Sequence, residues 1–166
     1  MKKIARIRSG GQSGVDRAAL DAARAAGIKI EGWTPKGGWA EDFPTPPGLL
    51  AQYPELQATN TTSVDRRTKL NVRDSHATLI LAPVQLQESP GTVLTVETAK
   101  RYERPYLVSD LDDLNRVAEW VDDLPNELIL NVAGPRESEC PGVYEETLKF
   151  LSSLFHRIAE RPMTIY

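Results

Sequence analysis

Short apolar runs alternate along the chain with longer amphipathic stretches. Short runs bounded by turn residues are typical of strands, and they predict five of them: "KKIARI", "IKIEGW", "ATLILAP", "PYLVS" and "ELILNVAG". Helical spacing of apolar residues predicts five helices: "GVDRAALDAARAAG", "TSVDRRTKLNVRDS", "GTVLTVETAKRYE", "LDDLNRVAEWVDDL" and "GVYEETLKFLSSLFHRIAE". Strands that alternate with helices predict an α/β fold, a parallel sheet with helices on both faces.

The chain length predicts one domain, because 166 residues can bury a single core without staples. We expect this domain to span residues 1–160. The final "RPMTIY", residues 161–166, is predicted to be a short docked tail or a disordered end.

Composition narrows the classes of function. The single cysteine, Cys140, cannot form an internal disulfide, and neither a signal peptide nor an apolar run near the ~20 residues of a membrane helix is present. We therefore expect a soluble, cytoplasmic protein with no membrane partner. A net charge of -3 without a basic stripe argues against nucleic acid as a partner, although a local anion site remains compatible with it.

The stretch "RSGGQSGVDRAALDAA" places three glycines between the first strand and the first helix. The first N–H groups of a helix lack intrahelical partners and carry partial positive charge, so Gly10, Gly11 and Gly14 predict close approach of an anion to the backbone, with Ser13 adding a hydroxyl. The alternative is a tight turn whose glycines only allow positive φ or close packing. The loop matches neither the Walker A nor the GxGxxG fingerprint.

The polar loops favour a ligand site over a turn. Each predicted strand is followed by a cluster of glycine, proline or polar residues: "SGGQSG", "GWTPKGG", "APVQLQESPGT", "SD" and "AGPRESECPG". The carboxyl ends of parallel strands share one edge of the sheet, where α/β proteins bind ligands. The sequence therefore predicts one pocket at this edge.

Five ordered motifs over roughly residues 3 to 155 resemble the molybdenum cofactor carrier proteins, which are related to the lysine-decarboxylase-like cytokinin phosphoribohydrolases. These motifs are "SGGQSGVDRAALDAA", "GWTPKGGWAED", "RRTKLNVRDSHATLIL", "GTVLTVETAK" and "LNVAGPRESECPGVYEETLKFL". The resemblance implies a Rossmann-like fold and a homo-oligomer, a dimer or tetramer. It also implies that the protein binds molybdenum cofactor (molybdopterin), an anionic pterin, for storage and delivery. The implied partners are molybdoenzymes or cofactor-biosynthesis proteins, and no chemical step is implied.

The resemblance also implies the residues that bind the cofactor. They lie in both glycine loops, after the second strand, in the "RT..NV.DS" segment and in "AGPRES": Gly10, Gly11, Gln12, Ser13, Gly14, Lys36, Gly37, Arg67, Thr68, Asn71, Asp74, Ser75, Gly91, Thr92, Arg136, Glu137 and Ser138. Two departures from relatives are "SPGT" in the second loop and His76 after "DS".

Several of these polar residues have structural alternatives. Arg67 and Asp74 could form an ion pair that ties a helix to the sheet. We interpret His76 as a structural histidine and Cys140 as a free loop cysteine rather than a molybdenum ligand. Without paired His and Cys spacing, no metal site is expected.

A nucleotide-binding or nucleotide-hydrolysing enzyme is the rival hypothesis. The phosphoribohydrolases carry a "PGG.GT..E" glutamate, but Thr95 stands at the matching position here, and Glu97 lies roughly 200° around the helix from it. Hydrolysis through Glu41, Asp42 or Asp74 stays open, because two carboxyl groups near a pocket can act as acid and base.

Overall fold

The computed structural model of the protein describes residues 1–161. Six strands are present, at β1 Ile4–Arg8, β2 Lys29–Thr34, β3 Leu56–Ala58, β4 Ala77–Leu81, β5 Tyr106–Ser109 and β6 Leu128–Ala133. Five α-helices connect them, at α1 Val15–Ala25, α2 Val64–Arg73, α3 Pro90–Arg101, α4 Leu114–Asp123 and α5 Val143–Ala159. The predicted α/β class and the single domain follow from this order of elements.

All six strands pair in parallel, in the order β3-β2-β1-β6-β4-β5. From β1 the chain winds outward to β3, crosses through α2 to β4 and β5, and returns through α4 to insert β6 between β1 and β4. The winding direction thus reverses near the centre of the sheet. In a doubly wound sheet, the carboxyl ends of the strands at such a reversal form the ligand crevice.

Helices cover both faces of the sheet, which is the Rossmann-like arrangement. Helices α1, α4 and α5 pack together on one face, while α2 and α3 pack together on the other. The close contact of α1 with α5 follows from the alanines of α1, because Ala18, Ala19, Ala22 and Ala23 are almost fully buried and have no long side chains to separate the helices.

The sequence analysis missed one strand. β3 lies within the segment predicted to be irregular, and its three residues are too few to show an alternating pattern. It pairs with β2 at the edge of the sheet, where only Leu56 among its residues is buried. Short 3₁₀ turns at Lys36–Gly38 and Gly48–Ala51 fold the rest of the segment.

Two predictions concern parts of the chain beyond this core. Of the predicted tail, residues 162–166 lie outside the described residues. Within residues 1–161, no helix is both long and apolar enough to cross a membrane.

Candidate functional site

A cleft of about 260 Å³ opens at the carboxyl ends of β1, β6 and β4. The amino-terminal halves of α2 and α3 form its walls, and the loop after β6 closes one end. Of the predicted binding residues, the structure brings together in its lining Gly10, Gln12, Arg67, Thr68, Asn71, Gly91, Thr92 and Arg136. The cleft therefore lies at the sheet edge that the polar loops predict.

The amino terminus of α3 forms one wall of the cleft. Ser89 caps the helix, its Oγ accepting a hydrogen bond from the backbone N–H of Thr92 at 3.5 Å. Pro90 supplies the fixed φ that suits a first helical position, and a Cβ built on Gly91 would have no atom within 4 Å. No acidic residue lies in this first turn, and the partial positive charge of the helix start faces the cleft.

Two arginines bring positive charge to the same cleft. Arg67 lies half-buried, with its Nη1 3.5 Å from the carbonyl oxygen of Gly10. A Cβ at Gly10 would lie only 2.9 Å from Cδ of Arg67, so the glycine allows the guanidinium to lie against the loop. Burial lowers the pKa of Arg67, and the charge of Arg136 lowers this pKa further. Arg136 itself pairs with Glu139 at 2.9 Å on the rim.

The most unusual group in the cleft is Asp16, in the first turn of α1. Its side chain lines the cleft, only 7% of the residue is exposed, and among residues 1–161 its Oδ1 has no hydrogen-bond partner. Burial raises the pKa of this carboxyl from 3.8 to about 6, against the opposing effects of Arg67 and of the backbone of Gly134. A buried carboxyl without a donor for one oxygen is costly to ionise, so a ligand that supplies a donor would be favoured there.

The remaining wall is built from polar side chains that are buried. Thr95 lines the cleft and donates its hydroxyl to the carbonyl of Gly91 at 2.8 Å. Asn131, within β6, donates to Thr78 Oγ1 at 3.3 Å. Such polar walls suit a ligand with several hydrogen-bonding groups better than an apolar one.

Gln12, Ser13, Glu137 and Ser138 belong mainly to a junction of three loops. Glu41 is its centre: it accepts hydrogen bonds from the hydroxyls of Ser13 and Ser138, while its own N–H donates to Gln12 Oε1 at 2.9 Å. Burial acts to raise the pKa of Glu41, but the hydrogen bonds from Ser13 and Ser138 outweigh it and lower this pKa. Of the four residues, only Gln12 lines the cleft.

Glu137 also caps the last helix. Its two carboxylate oxygens accept from the N–H groups of Gly142 at 2.5 Å and Tyr144 at 3.1 Å, at the start of α5. Since both oxygens have partners within the protein, the observed contacts of Glu137 are those of a helix cap.

The first glycine loop differs from its expected geometry. The N–H groups of Gly11, Ser13 and Val15 donate to Ser9 Oγ, Gln12 Oε1 and the carbonyl of Pro135, respectively. These N–H groups are therefore not bare donors, which corrects the expectation for the start of α1. The sequence could not show that the side chains of Ser9 and Gln12 fold back onto the loop.

Two glycines of this loop serve packing instead. Gly11 has φ +73°, and a Cβ there would lie 2.9 Å from Cδ1 of Leu49, on the core side. Gly14 has φ +81°, and a Cβ there would lie 2.4 Å from the carbonyl oxygen of Pro135. Both residues allow close approach of backbone and core, as the turn alternative proposed, and neither lines the cleft.

Four further predicted residues also lie outside the cleft lining. Lys36 is exposed in the 3₁₀ turn after β2, and Gly37 next to it packs against Pro46. Asp74 accepts from Trp33 Nε1 at 2.9 Å and pairs with Arg73 at 2.7 Å. Ser75 donates to the carbonyl of Asn71 at 2.7 Å.

The ion pair considered between Arg67 and Asp74 is therefore absent among residues 1–161, because Asp74 takes Arg73 as its partner. Asp42, one of the acids considered for hydrolysis, pairs with Arg17 at 2.9 Å. Glu41, Asp42 and Asp74 are thus all engaged by protein groups, and none of them lines the cleft.

The structural readings of the histidine and the cysteine agree with their surroundings. His76 Nδ1 accepts from the backbone N–H of Ile129 at 2.9 Å, at the start of β4 and so at the edge opposite the cleft. Cys140 is half-buried against the core, and burial raises the pKa of its thiol. Residues 1–161 contain no group of three or more His, Cys, Asp or Glu side chains placed to hold a metal.

Sequence reasoning missed several residues of the lining: Asp16, Asp65, Ser89, Thr95, Asn131, Gly134 and Glu139. Only Asp16 carried a signal, since it is a charged residue two positions after the glycine loop, in the first turn of a helix rich in alanine. Asn131 lies within an apolar strand, and its face could not be assigned before the sheet order was known.

The fold and the cleft together define a Rossmann-like protein with a site at the point where the sheet reverses direction, and two arginines and three acidic residues are part of its lining. The chain belongs to the circularly permutated YpsA SLOG family, whose family model matches residues 7–155. It is similar to a solved structure of a putative molybdenum carrier protein from Syntrophus aciditrophicus SB, at 36% sequence identity and a TM-score of 0.77. The match covers 93% of this chain and 96% of that one. No curated protein sequence matches the chain.

Proposed function

We propose that this protein binds molybdenum cofactor, stores it and delivers it, holding the anionic pterin in the cleft at the carboxyl edge of the sheet. The observation that carries the proposal is the cleft itself: the start of α3 and two arginines face a cavity with both polar and apolar lining residues, in a chain similar to a putative molybdenum carrier protein. The cofactor is cargo in this proposal, and no bond of it is made or broken.

The terminal phosphate of the cofactor would lie at the start of α3. There the backbone N–H of Gly91 and the guanidinium of Arg67 would supply donors and positive charge. Arg136 closes the same end from the loop after β6. In this proposal the residues that line the cleft contact the cofactor. The other predicted residues, Lys36 among them, would affect binding only by positioning the loops.

Binding in this cleft would protect the cofactor by excluding solvent from its pterin end. The protein would release it to molybdoenzymes or take it from cofactor-biosynthesis proteins in the cytoplasm, as a dimer or tetramer. Gel filtration with light scattering measures the oligomeric state directly, and a monomer at micromolar concentration would contradict that part of the proposal.

The experiment is to purify the protein from cells that make molybdenum cofactor and to identify bound pterin by absorbance and mass spectrometry. A matched variant, Arg67→Ala, is purified in parallel. The proposal predicts pterin bound to the parent protein and much less in the variant. Equal traces in both would show that the cleft does not hold the cofactor.

Nucleotide hydrolysis is the second candidate, and Asp16 is the observation that favours it. A carboxyl with a raised pKa in a cleft can act as a general acid near neutral pH, as protonation of a leaving base requires. Incubation with nucleoside monophosphates, followed by chromatography, tests this candidate. Steady release of free base by the parent protein, lost in Asp16→Asn, would favour the enzyme over the carrier.

A further inference from the structure

The carboxyl of Asp16 is only partly satisfied by the protein: the backbone N–H groups of Gly134 and Gln12 act on it, but Oδ1 has no hydrogen-bond partner among residues 1–161. The residue is 7% exposed, lines the cleft, and leaves Oδ1 without a partner among residues 1–161. Buried polar atoms in folded proteins nearly always have partners, so an orphan oxygen beside a cavity points to a ligand atom.

The surroundings of Asp16 define what kind of atom this is. Arg67 lies close enough to act electrostatically on the carboxyl, but within the described residues it forms no ion pair with it. A second anion at this point would meet a like charge. The complementary group is therefore a neutral N–H donor that reaches the one oxygen without a partner.

The cleft thus presents two unlike kinds of group to a ligand. The start of α3 and the arginines favour an anionic group, whereas Asp16, at the start of α1, favours a donor. A ligand that satisfies both must carry an anionic group together with a planar ring that presents N–H donors.

We propose that Asp16 accepts a hydrogen bond from the 2-amino group of a 2-amino-4-oxo heterocycle, so that the cleft selects anionic ligands by this edge. Pterin and guanine share this edge. The inference rests on the proposed function for the site, and it adds the group by which the ring is recognised.

Keeping Asp16 in the cleft destabilises the protein when no ligand is bound. Without ligand, Asp16 stays buried with an unsatisfied oxygen, and burial raises its pKa to about 6. A bound N–H edge would stabilise the ionised form. Binding of the correct ring should therefore take the carboxyl from partly protonated to fully ionised near pH 6.

Two small probe ligands differ only in the group at ring position 2. Pterin-6-carboxylate presents the 2-amino group, whereas lumazine-6-carboxylate has an oxygen there, which would face the carboxylate as an acceptor. Both are fluorescent and both carry the same anionic group. We expect the parent protein to bind the pterin at least about tenfold more tightly than the lumazine, because a site built for a donor rejects the analogue that lacks it.

The variants are Asp16→Asn and, as a control for lost negative charge, Glu88→Gln. Glu88 is exposed just before α3 and does not line the cleft. Asp16→Asn should lose the preference for pterin, since its amide can also donate to the lumazine oxygen. Glu88→Gln should keep it. Circular dichroism confirms that each variant is folded.

The proposal is overturned if the parent protein shows no preference, if it binds neither probe up to about 1 mM, or if Asp16→Asn keeps the preference. This experiment distinguishes failure of the inference about Asp16 from failure of the proposed carrier function. Copurified cofactor without a pterin preference would defeat this inference alone. A pterin preference that depends on Asp16, in a protein that retains no cofactor, would support the inference and count against the carrier.

Discussion

Replacing Asp16 by asparagine should stabilise the folded protein, and by an amount that grows with pH. Asp16 is almost fully buried, and burial raises its pKa from 3.8 to about 6. The pKa of Asp16 is higher in the folded than in the unfolded state, so folding takes up a proton at pH values between 3.8 and about 6. The free energy of unfolding therefore falls as the pH rises through this range. Asparagine resembles the neutral carboxyl and removes this loss.

The magnitude follows from the two pKa values. A change from 3.8 to about 6 costs the parent protein about 1 kcal/mol at pH 4.5 and about 3 kcal/mol at pH 8. The positive charges of Arg67 and Arg17 already act against this cost and are included in the pKa. The variant should therefore gain about 1 kcal/mol at the lower pH and about 3 kcal/mol at the higher pH.

The assay is urea unfolding of the parent protein, Asp16→Asn and the control Glu88→Gln at both pH values, followed by circular dichroism. Glu88 is exposed, and its replacement should change stability little at either pH. A stability gain by Asp16→Asn that is the same at both pH values, or a loss at pH 8, would refute the reasoning. A gain in stability joined to a loss of pterin preference is the pattern expected of a group retained for binding.

Three further predictions concern the surroundings of the cleft. Arg67→Ala should weaken binding of an anionic ligand by about 1.5 to 3 kcal/mol, measured by calorimetry, while an unchanged affinity would remove this guanidinium from the site. Gly14→Ala should lower the melting temperature, because its φ of +81° and the carbonyl of Pro135, 2.4 Å from the new Cβ, both oppose a side chain. Gly91→Ala should leave the melting temperature unchanged, because the new Cβ would lie in open space. Glu137→Ala should lose about 1 kcal/mol of stability as a helix cap, with pterin preference unchanged, and an equal loss of binding would place it in the site.

The alternation of apolar runs and amphipathic stretches was sufficient to predict the fold class. Five strands and five helices were placed near their observed positions, because each is long enough to show its period. The exception is β3, whose pairing with β2 depends on tertiary contact rather than on a local pattern.

The candidate site was predictable to the level of the sheet edge but not of each side chain. Gly10, Arg67 and Gly91 meet in one cleft because their loops follow strands, or precede helices, at that edge. The contacts of Gly11 with the core and of Asp74 with Arg73 depend on the direction of each side chain, which loop spacing does not determine.

The missed residues have a common physical reason. Asp16 is a charged residue that the fold buries, and sequence patterns place charges on surfaces. Asn131 reaches the cleft only because β6 is inserted between β1 and β4, an order that follows from the whole chain.

The most direct test of the carrier function compares protein-bound and free molybdenum cofactor during incubation in air. At intervals, each sample is assayed for its ability to reconstitute a cofactor-free molybdoenzyme. If the cleft shelters the cofactor, the bound sample retains this ability for longer, and Arg67→Ala shortens the protection. Equal decay of the bound and free samples would contradict the central claim.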